Sequence, residues 1–281
     1  VLLSITVVEL YGLNKYIKHG NRVTVIPLIP CQKCCYCKKK MMQHCLNLKN
    51  IGKTYPGGFA EYIIVPRSNI RKIADTVSFD AGALIDVVAV GIHAYHMSGC
   101  PVHKEIAILG DGPVAYITAQ IFIQYKNTVH IFIKHGYKLP IMRRFSIQTE
   151  FFKQNTDKHR NYFDIVVEAI GGQQSESLQK AIAIVKPVGT VVVLGVFEIG
   201  CRISLIIRDL FYKEIRLIGC NSYGVWKSKS EFDQALGLVS HHKIAVEHII
   251  SHRFHFSEIN NALDVINNKE ISHMSKIIFY P

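Results

Sequence analysis

"CQKCCYCKKKMMQHC", residues 31–45, gathers five of the chain's eight cysteines into one short stretch. Cys31, Cys34, Cys37 and Cys45 follow the spacing C-x2-C-x2-C-x7-C. Two-residue gaps let thiolates converge on one tetrahedral ion, and the longer excursion lets the fourth return from the far side of a small lobe. All four ligands are local, which suits a closed structural zinc site with no open position for chemistry. Lys33, Lys38, Lys39 and Lys40 partly offset the charge of a zinc held by four thiolates. A redox pair or free thiols are the other readings, and the spacing favours zinc. Cys35 is a fifth thiol that could compete; Cys34 is preferred because it keeps the spacing regular.

Working outward, the chain has 281 residues and is 49% hydrophobic, enough to bury a core in one large or two medium domains. No apolar run reaches the roughly 18 residues of a membrane span. The opening "VLLSITVVEL" lacks a basic leader and soon meets Glu9, so no signal peptide is expected and the thiols are read as those of a cytoplasmic protein. The chain starts at Val1 rather than Met, which is read here as a fragment or a processed form. The formal charge is +12, yet the basic residues are scattered, with Lys38 to Lys40 the densest run. That pattern reads as composition, not as the basic stripe of a nucleic-acid binder.

Around the cysteines, "HGNRVTVIPLIPCQKCCYCKKKMMQHC" and then "GGFAEYIIVP" at 57–66 resemble the zinc-containing medium-chain alcohol and polyol dehydrogenases. "AGALIDVVAVGIHAYHMSG" at 81–99 is similar to the branch of sorbitol, threonine and galactitol-phosphate dehydrogenases. "PLIPCQKC" and the ending "KIIFYP" lean towards its sugar-phosphate and polyol members. The resemblance covers nearly the whole chain and loosens beyond residue 135. It implies a GroES-like β domain carrying a structural zinc lobe, joined to a Rossmann domain that binds NAD or NADP.

The pattern along the chain agrees with an α/β fold containing a doubly wound parallel sheet. "SITVVEL", "NRVTVIP" and "AEYIIVP" read as short strands of a β domain over residues 1–86, incomplete at its N-terminus. Over 87–220, "EIAILG", "TVHIFIK", "FDIVVEAIG" and "GTVVVLGV" are strands separated by helical stretches such as "PVAYITAQIFIQYK". Residues 221–281 hold two helices, "SEFDQALGLVSHHKI" and "SEINNALDVINNKE", each opening on a serine cap. By resemblance this tail returns to the β domain.

"ILGDGPVA" sits between strand and helix. Gly110 permits a tight turn, Gly112 lets the backbone approach a pyrophosphate, and Pro113 and Val114 open the helix whose N-terminus stabilises it. Ala115 stands at the third glycine position. Asp111 in that turn would weaken phosphate binding unless it points away. The second strand ends on Lys134 and His135, where an acid would hold the adenosine ribose. Two readings stay open: Lys134 and Lys138 meet the 2′-phosphate of NADP, or nucleotide selectivity is lost. By resemblance, "EAIGG" (168–172) and "VLGV", with Gly195 and Val196, border the nicotinamide half.

The resemblance also implies a catalytic zinc held by a cysteine, a His-Glu pair and an acid. Val1, Leu2 and Ser4 stand where the His and Glu would be sought, and no cysteine precedes Cys31. Asp86 is the one surviving candidate, with Val87 in place of a proline. One carboxylate cannot hold a catalytic zinc, which generally needs three protein ligands. His93, His96 and His103 lie nearby, and His93 reads as helix packing. The resulting expectation is a zinc-type oxidoreductase that oxidises a secondary alcohol of a polyol or sugar-alcohol phosphate, impaired in this chain. It is expected to form a homo-oligomer, with neither nucleic acid nor membrane as partner. The alternatives are a threonine-type dehydrogenase and a non-catalytic remnant that binds only nucleotide or a partner subunit.

Overall fold

Short apolar segments broken by turns form short strands. In the computed structural model, which describes residues 3–6, 16–143, 147–268 and 270–281, the first of these are β1 (Leu3–Thr6), β2 (Arg22–Val25) and β3 (Leu28–Ile29). Helix α1 (Cys35–Lys38), β4 (Lys49–Asn50) and β5 (Ile70–Lys72) follow. β1, β2 and β5 make an antiparallel sheet in that order, and β3 pairs with β4 across the base of the cysteine lobe. Val23 and Val25 are buried on one face of β2, while Thr24 on the other face donates its hydroxyl to the Gly82 carbonyl at 2.8 Å. Val1, Leu2, Glu9 and the part of the expected strand beyond Thr6 lie outside the described residues.

One expected strand is corrected. "AEYIIVP" at 60–66 joins no ladder among the described residues. Its alternation is genuine, but Tyr62 and Ile64 face outwards, 73% and 76% exposed, so the pattern does not mark a buried sheet face.

Helix α2 (Phe79–Met97) is apolar around most of its circumference and correspondingly buried. The chain then builds β6 (Glu105–Leu109), α3 (Pro113–Gln124), β7 (Thr128–Ile133), α4 (Leu139–Met142), β8 (Gln148–Phe151) and α5 (Phe152–Asn155). β9 (Phe163–Glu168), α6 (Glu176–Ile184), β10 (Val185–Val193), α7 (Ile207–Tyr212) and β11 (Arg216–Gly219) complete it. The six strands form one sheet in the order β11-β10-β9-β6-β7-β8, with every pairing parallel. Parallel strands buried on both faces read as continuous apolar runs, which is why "IAIL", "VHIFI" and "DIVVE" are recognisable. The strand order reverses between β6 and β9, leaving a crevice at their carboxyl ends.

The remaining elements are β12 (Val225–Trp226), β13 (Lys229–Ser230), α8 (Glu231–Ser240), β14 (Ile250–His255), α9 (Ile259–Asn267) and β15 (Lys276–Tyr280). Ser230 caps α8 as expected, accepting from the Asp233 N–H at 3.2 Å. Ser257 does not cap α9. A 3-10 turn precedes that helix, capped by the His255 side chain and, in return, by Glu258 accepting from the His255 N–H at 2.8 Å. Contacts divide the chain into two units, Val1–Ala89 with Ser222–Pro281, and Val90–Asn221.

A buried lysine fastens the second unit. Lys213 donates its ammonium to the carbonyls of Ile182, Ala183 and Val185, at 2.8, 3.0 and 3.2 Å, where α6 ends. These are groups that a helix C-terminus leaves without partners, and a cation there is favoured by the helix dipole. Lys213→Met keeps the apolar stem and strips the carbonyls of their donor. A loss of about 2–3 kcal/mol is expected, read as a lower urea midpoint with an unchanged slope.

Candidate functional site

The cysteine lobe is built from tight turns. Gln32 and Lys40 adopt φ of 61°, bending the chain before α1 and after it. The Lys38 N–H bonds to the Cys34 carbonyl and the Lys40 N–H to that of Cys37. The Sγ atoms of Cys31, Cys34, Cys37 and Cys45 consequently lie within 4.8 Å of one another. Cys31 and Cys37 are 4.0 Å apart and Cys34 and Cys37 are 3.5 Å apart. A tetrahedral ion with zinc–sulfur bonds of 2.3 Å needs sulfurs about 3.8 Å apart, so the donor set fits a structural zinc. Cys35 is exposed and stands outside the group. Backbone N–H groups of Cys37 and Leu46 lower the Cys34 thiol to about 6, and those of Lys33 and Cys34 lower Cys31. Burial pushes Cys37 up to about 12.

The crevice of the second unit is shaped by close backbone approach. Gly110 has φ of 129°, and a Cβ there would meet the Ala169 carbonyl oxygen at 2.9 Å. Gly112 caps α3 without a side-chain bond, Pro113 takes the first helical position, and a Cβ on Gly112 would meet no atom within 4 Å. The start of this helix thus presents N–H groups beside open space, as an anionic ligand requires. On the other side of the crevice, Gly195 and Gly171 abut, and a Cβ on Gly195 would lie 2.4 Å from the Gly171 nitrogen. Val196 is 86% exposed, and its carbonyl accepts from the Gly172 N–H at 2.8 Å.

The sequence placed "EAIGG" (168–172) here without singling out Glu168, which arranges this side. It is fully buried at the end of β9, and its Oε1 accepts from the N–H groups of Ile170 and Gly171 and from the Ser177 hydroxyl. An acid closing the apolar run "FDIVVE" is the signal that could have found it.

Asp111 points away from the helix start. Its Oδ2 accepts from the N–H groups of Lys134 and His135 at 3.0 and 2.8 Å, and lies 2.8 Å from His135 Nδ1. Lys134 is exposed, whereas Lys138 is buried with its ammonium 5.1 Å from the Tyr137 ring. Of the two lysines expected at a 2′-phosphate, only Lys134 is open to solvent.

In the first unit, Asp86 lies on α2 and its Oδ1 accepts from the Tyr223 hydroxyl at 2.5 Å. Burial raises the Asp86 carboxyl, with the tyrosine bond opposing, and burial also lowers the nearby Lys276 ammonium. His93 and His96 are buried on the same helix. Among the described residues the cysteine lobe is the one group of three or more metal-ligating side chains. Val1 and Leu2 lie outside those residues, and Ser4 is described as backbone of β1. The described residues do not fit a catalytic zinc, so no chemical step is derived through one.

Residues 4–75 match the family model of the alcohol dehydrogenase GroES-like domain. The chain is 27% identical to galactitol 1-phosphate 5-dehydrogenase of Escherichia coli K12 over 264 residues, covering 89% of this chain and 75% of that one. It is 25% identical to sorbitol dehydrogenase 1 of Saccharomyces cerevisiae, covering 97% and 77%. A solved structure from Sinorhizobium meliloti 1021, classed as a zinc-binding dehydrogenase and bound to NADP, superposes with a TM-score of 0.89 at 27% identity, covering 99% and 82%. The chain is thus similar over most of its length to zinc-type polyol dehydrogenases, and its residues 4–75 carry the GroES-like domain of alcohol dehydrogenases.

Purified protein is expected to retain about one zinc per chain after dialysis. Cys31→Ser and Cys45→Ser should each abolish retention and loosen the lobe, measured by metal analysis and by proteolysis at residues 31–50. Metal-free protein of equal protease resistance would refute the assignment.

Proposed function

We propose that the chain is a nicotinamide-dependent oxidoreductase whose substrate is a secondary alcohol of a polyol or a sugar-alcohol phosphate. The observation that carries this reading is the crevice at the strand reversal. There the start of α3, capped by Gly112 without a side-chain bond, and the open space beside that glycine suit a pyrophosphate. The relatives are polyol and sugar-alcohol dehydrogenases, which favours this over threonine as substrate. A nicotinamide held in that crevice would supply the hydride acceptor for oxidising the carbinol carbon to a ketone, the hydroxyl proton passing to a base. Gly110, Gly112, Pro113 and Val114 would seat the pyrophosphate, and Gly195 and Val196 would border the nicotinamide half. The exposed Lys134, in the place of an acid, favours NADP. None of the eight cysteines is joined to another in a disulfide, in keeping with a cytoplasmic setting.

Oxidation of an unactivated alcohol is slow unless its proton is made acidic. Of the ligands for a polarising metal, Asp86 is the candidate present, and its Oδ1 is engaged by Tyr223. Turnover of this chain is therefore expected to fall far below the common value of about 10 per second. The assay follows nicotinamide absorbance with galactitol 1-phosphate, sorbitol and threonine. Ordinary turnover would show that the ligand count is wrong.

A homo-oligomer is proposed from the sheet edge. β11 ends the six-stranded sheet, and Leu217 on it, with Phe211 and Tyr212 on the preceding helix, is exposed. An open edge beside apolar side chains favours pairing with a second copy. Leu217→Lys is expected to shift the protein to monomer in sedimentation; a wild-type monomer would reject the idea.

A further inference from the structure

A histidine lies buried within the six-stranded sheet, and the nucleotide reading does not use it. His130 on β7 is 5% exposed. Neither of its ring nitrogens has a hydrogen-bond partner among the described residues. A carboxylate flanks the ring from each neighbouring strand. Glu105 Oε2 of β6 lies 3.4 Å from Nε2, and Glu150 Oε1 of β8 lies 3.8 Å from Nδ1. Glu150 is engaged elsewhere: the same Oε1 stands 2.9 Å from Nε2 of His159, in the 3-10 turn Thr156–His159 that follows α5. Two imidazoles thus face one carboxylate oxygen. The strand that carries this oxygen, β8, is the edge of the sheet.

We propose that His130 is an acid-sensitive fastening of the sheet edge: once protonated, it competes with His159 for Glu150, and β8 with the turn beyond it loosens from β7. The space around the ring suits a neutral imidazole. Its centroid is 5.1 Å from that of Phe163 and 5.9 Å from those of Tyr162 and His159. A neutral ring packs there at little cost, whereas a buried cation without hydrogen bonds is penalised. Burial accordingly lowers the His130 imidazole, with Glu105 and Glu150 opposing and His159 acting with the burial. A charge change that redirects one shared carboxylate is the kind of local event that biases a two-state element. A chain that bound no nucleotide would still carry this fastening.

Among the described residues, the charged and titratable groups facing the ring are Glu105 from β6, Glu150 from β8, His159 from the turn and the Tyr162 phenol from the segment before β9. Asp164 of β9 is spent on the Glu105 N–H at 2.9 Å and on Lys186 at 3.1 Å. Lys158 and Arg160 are exposed. An imidazole lowered by folding holds fewer protons in the closed state than when released. The stability it contributes is whole above about pH 6.5, the ordinary histidine value, and is lost as pH falls below that. The loss is local, because β8 has β7 as its one neighbour in the sheet and can open without disturbing β6, β9 or β10.

The test follows amide hydrogen exchange in the full chain, expressed as protection factors corrected for the pH dependence of intrinsic exchange. With the opened edge binding a proton near the ordinary histidine value, protection of β8 is expected to fall about tenfold between about pH 7.5 and about pH 5.5, while that of β6 and β9 holds. His130→Phe, which keeps a ring in the aromatic cluster and removes the titration, should abolish most of that fall. The ring of His130 can also be titrated directly by NMR in histidine-labelled wild type, assigned through its own backbone. It should stay neutral at about pH 6, where ordinary histidines are already charged. That measurement needs no variant, so it decides the matter even where His130→Phe does not fold. A ring that takes its proton at or above about pH 6.5 overturns the proposal. So does an equal fall of β8 protection in His130→Phe, or a fall shared equally by β6 and β9.

Discussion

The carboxylate of Glu168 sits where the six-stranded sheet reverses its order, and the crevice depends on it. Burying a carboxylate is costly unless donors meet it, and its Oε2 has none among the described residues. It uses one oxygen to gather two N–H groups of the exit from β9 and the hydroxyl of Ser177 at the start of α6. Its other oxygen lies against Gly195, where a Cβ would approach within 2.6 Å. The exits of β9 and β10 are thereby drawn so close that glycine is needed at both Gly171 and Gly195. The same crowding reaches across to Gly110, opposite the Ala169 carbonyl. A parallel sheet buried on both faces leaves its strand ends as the place for ligand chemistry, and here one buried acid sets the spacing of those ends.

The cysteine lobe works by a different economy. Its helix has no buried residue, and only short β3 and β4 close its base. With little apolar surface to bury, such a lobe depends on ligation for its shape. The backbone N–H groups that point at Cys31 and Cys34 favour the thiolate form that a metal requires. Asp86 is treated oppositely. Desolvation disfavours its ionised form, and the Tyr223 hydroxyl donates to its Oδ1. Two candidate metal sites from one sequence thus end in contrasting environments.

Asp111 shows how a residue that looks harmful in a motif can be useful in three dimensions. Within "GDGPVA" it is a negative charge among the positions proposed to seat a pyrophosphate. Folded, it ties the exit of β6 to that of β7, its Oδ2 meeting the N–H groups of Lys134 and His135 and lying beside His135 Nδ1. The cost of a carboxylate near phosphate is avoided by direction, which no linear pattern encodes.

Much was legible in the residues themselves. The cysteine spacing, the apolar runs of β6, β7, β9 and β10, the glycine turn and the Ser230 cap are local features, set by covalent reach, period and backbone conformation. Those forces act between near neighbours, so sequence alone determined them. The strand expected at 60–66 failed because alternation states only that two faces differ, not that a partner strand will cover one of them. The cap of α9 fell to His255 and Glu258 rather than Ser257, since a 3-10 turn moved the helix start along the chain. Tertiary structure alone decided that Lys138 is buried while Lys134 is open, that Asp111 faces His135, and that Asp86 meets Tyr223 from 137 positions away. Each of these depends on which distant backbone group or side chain arrives beside a polar atom, and that is settled by packing the whole unit.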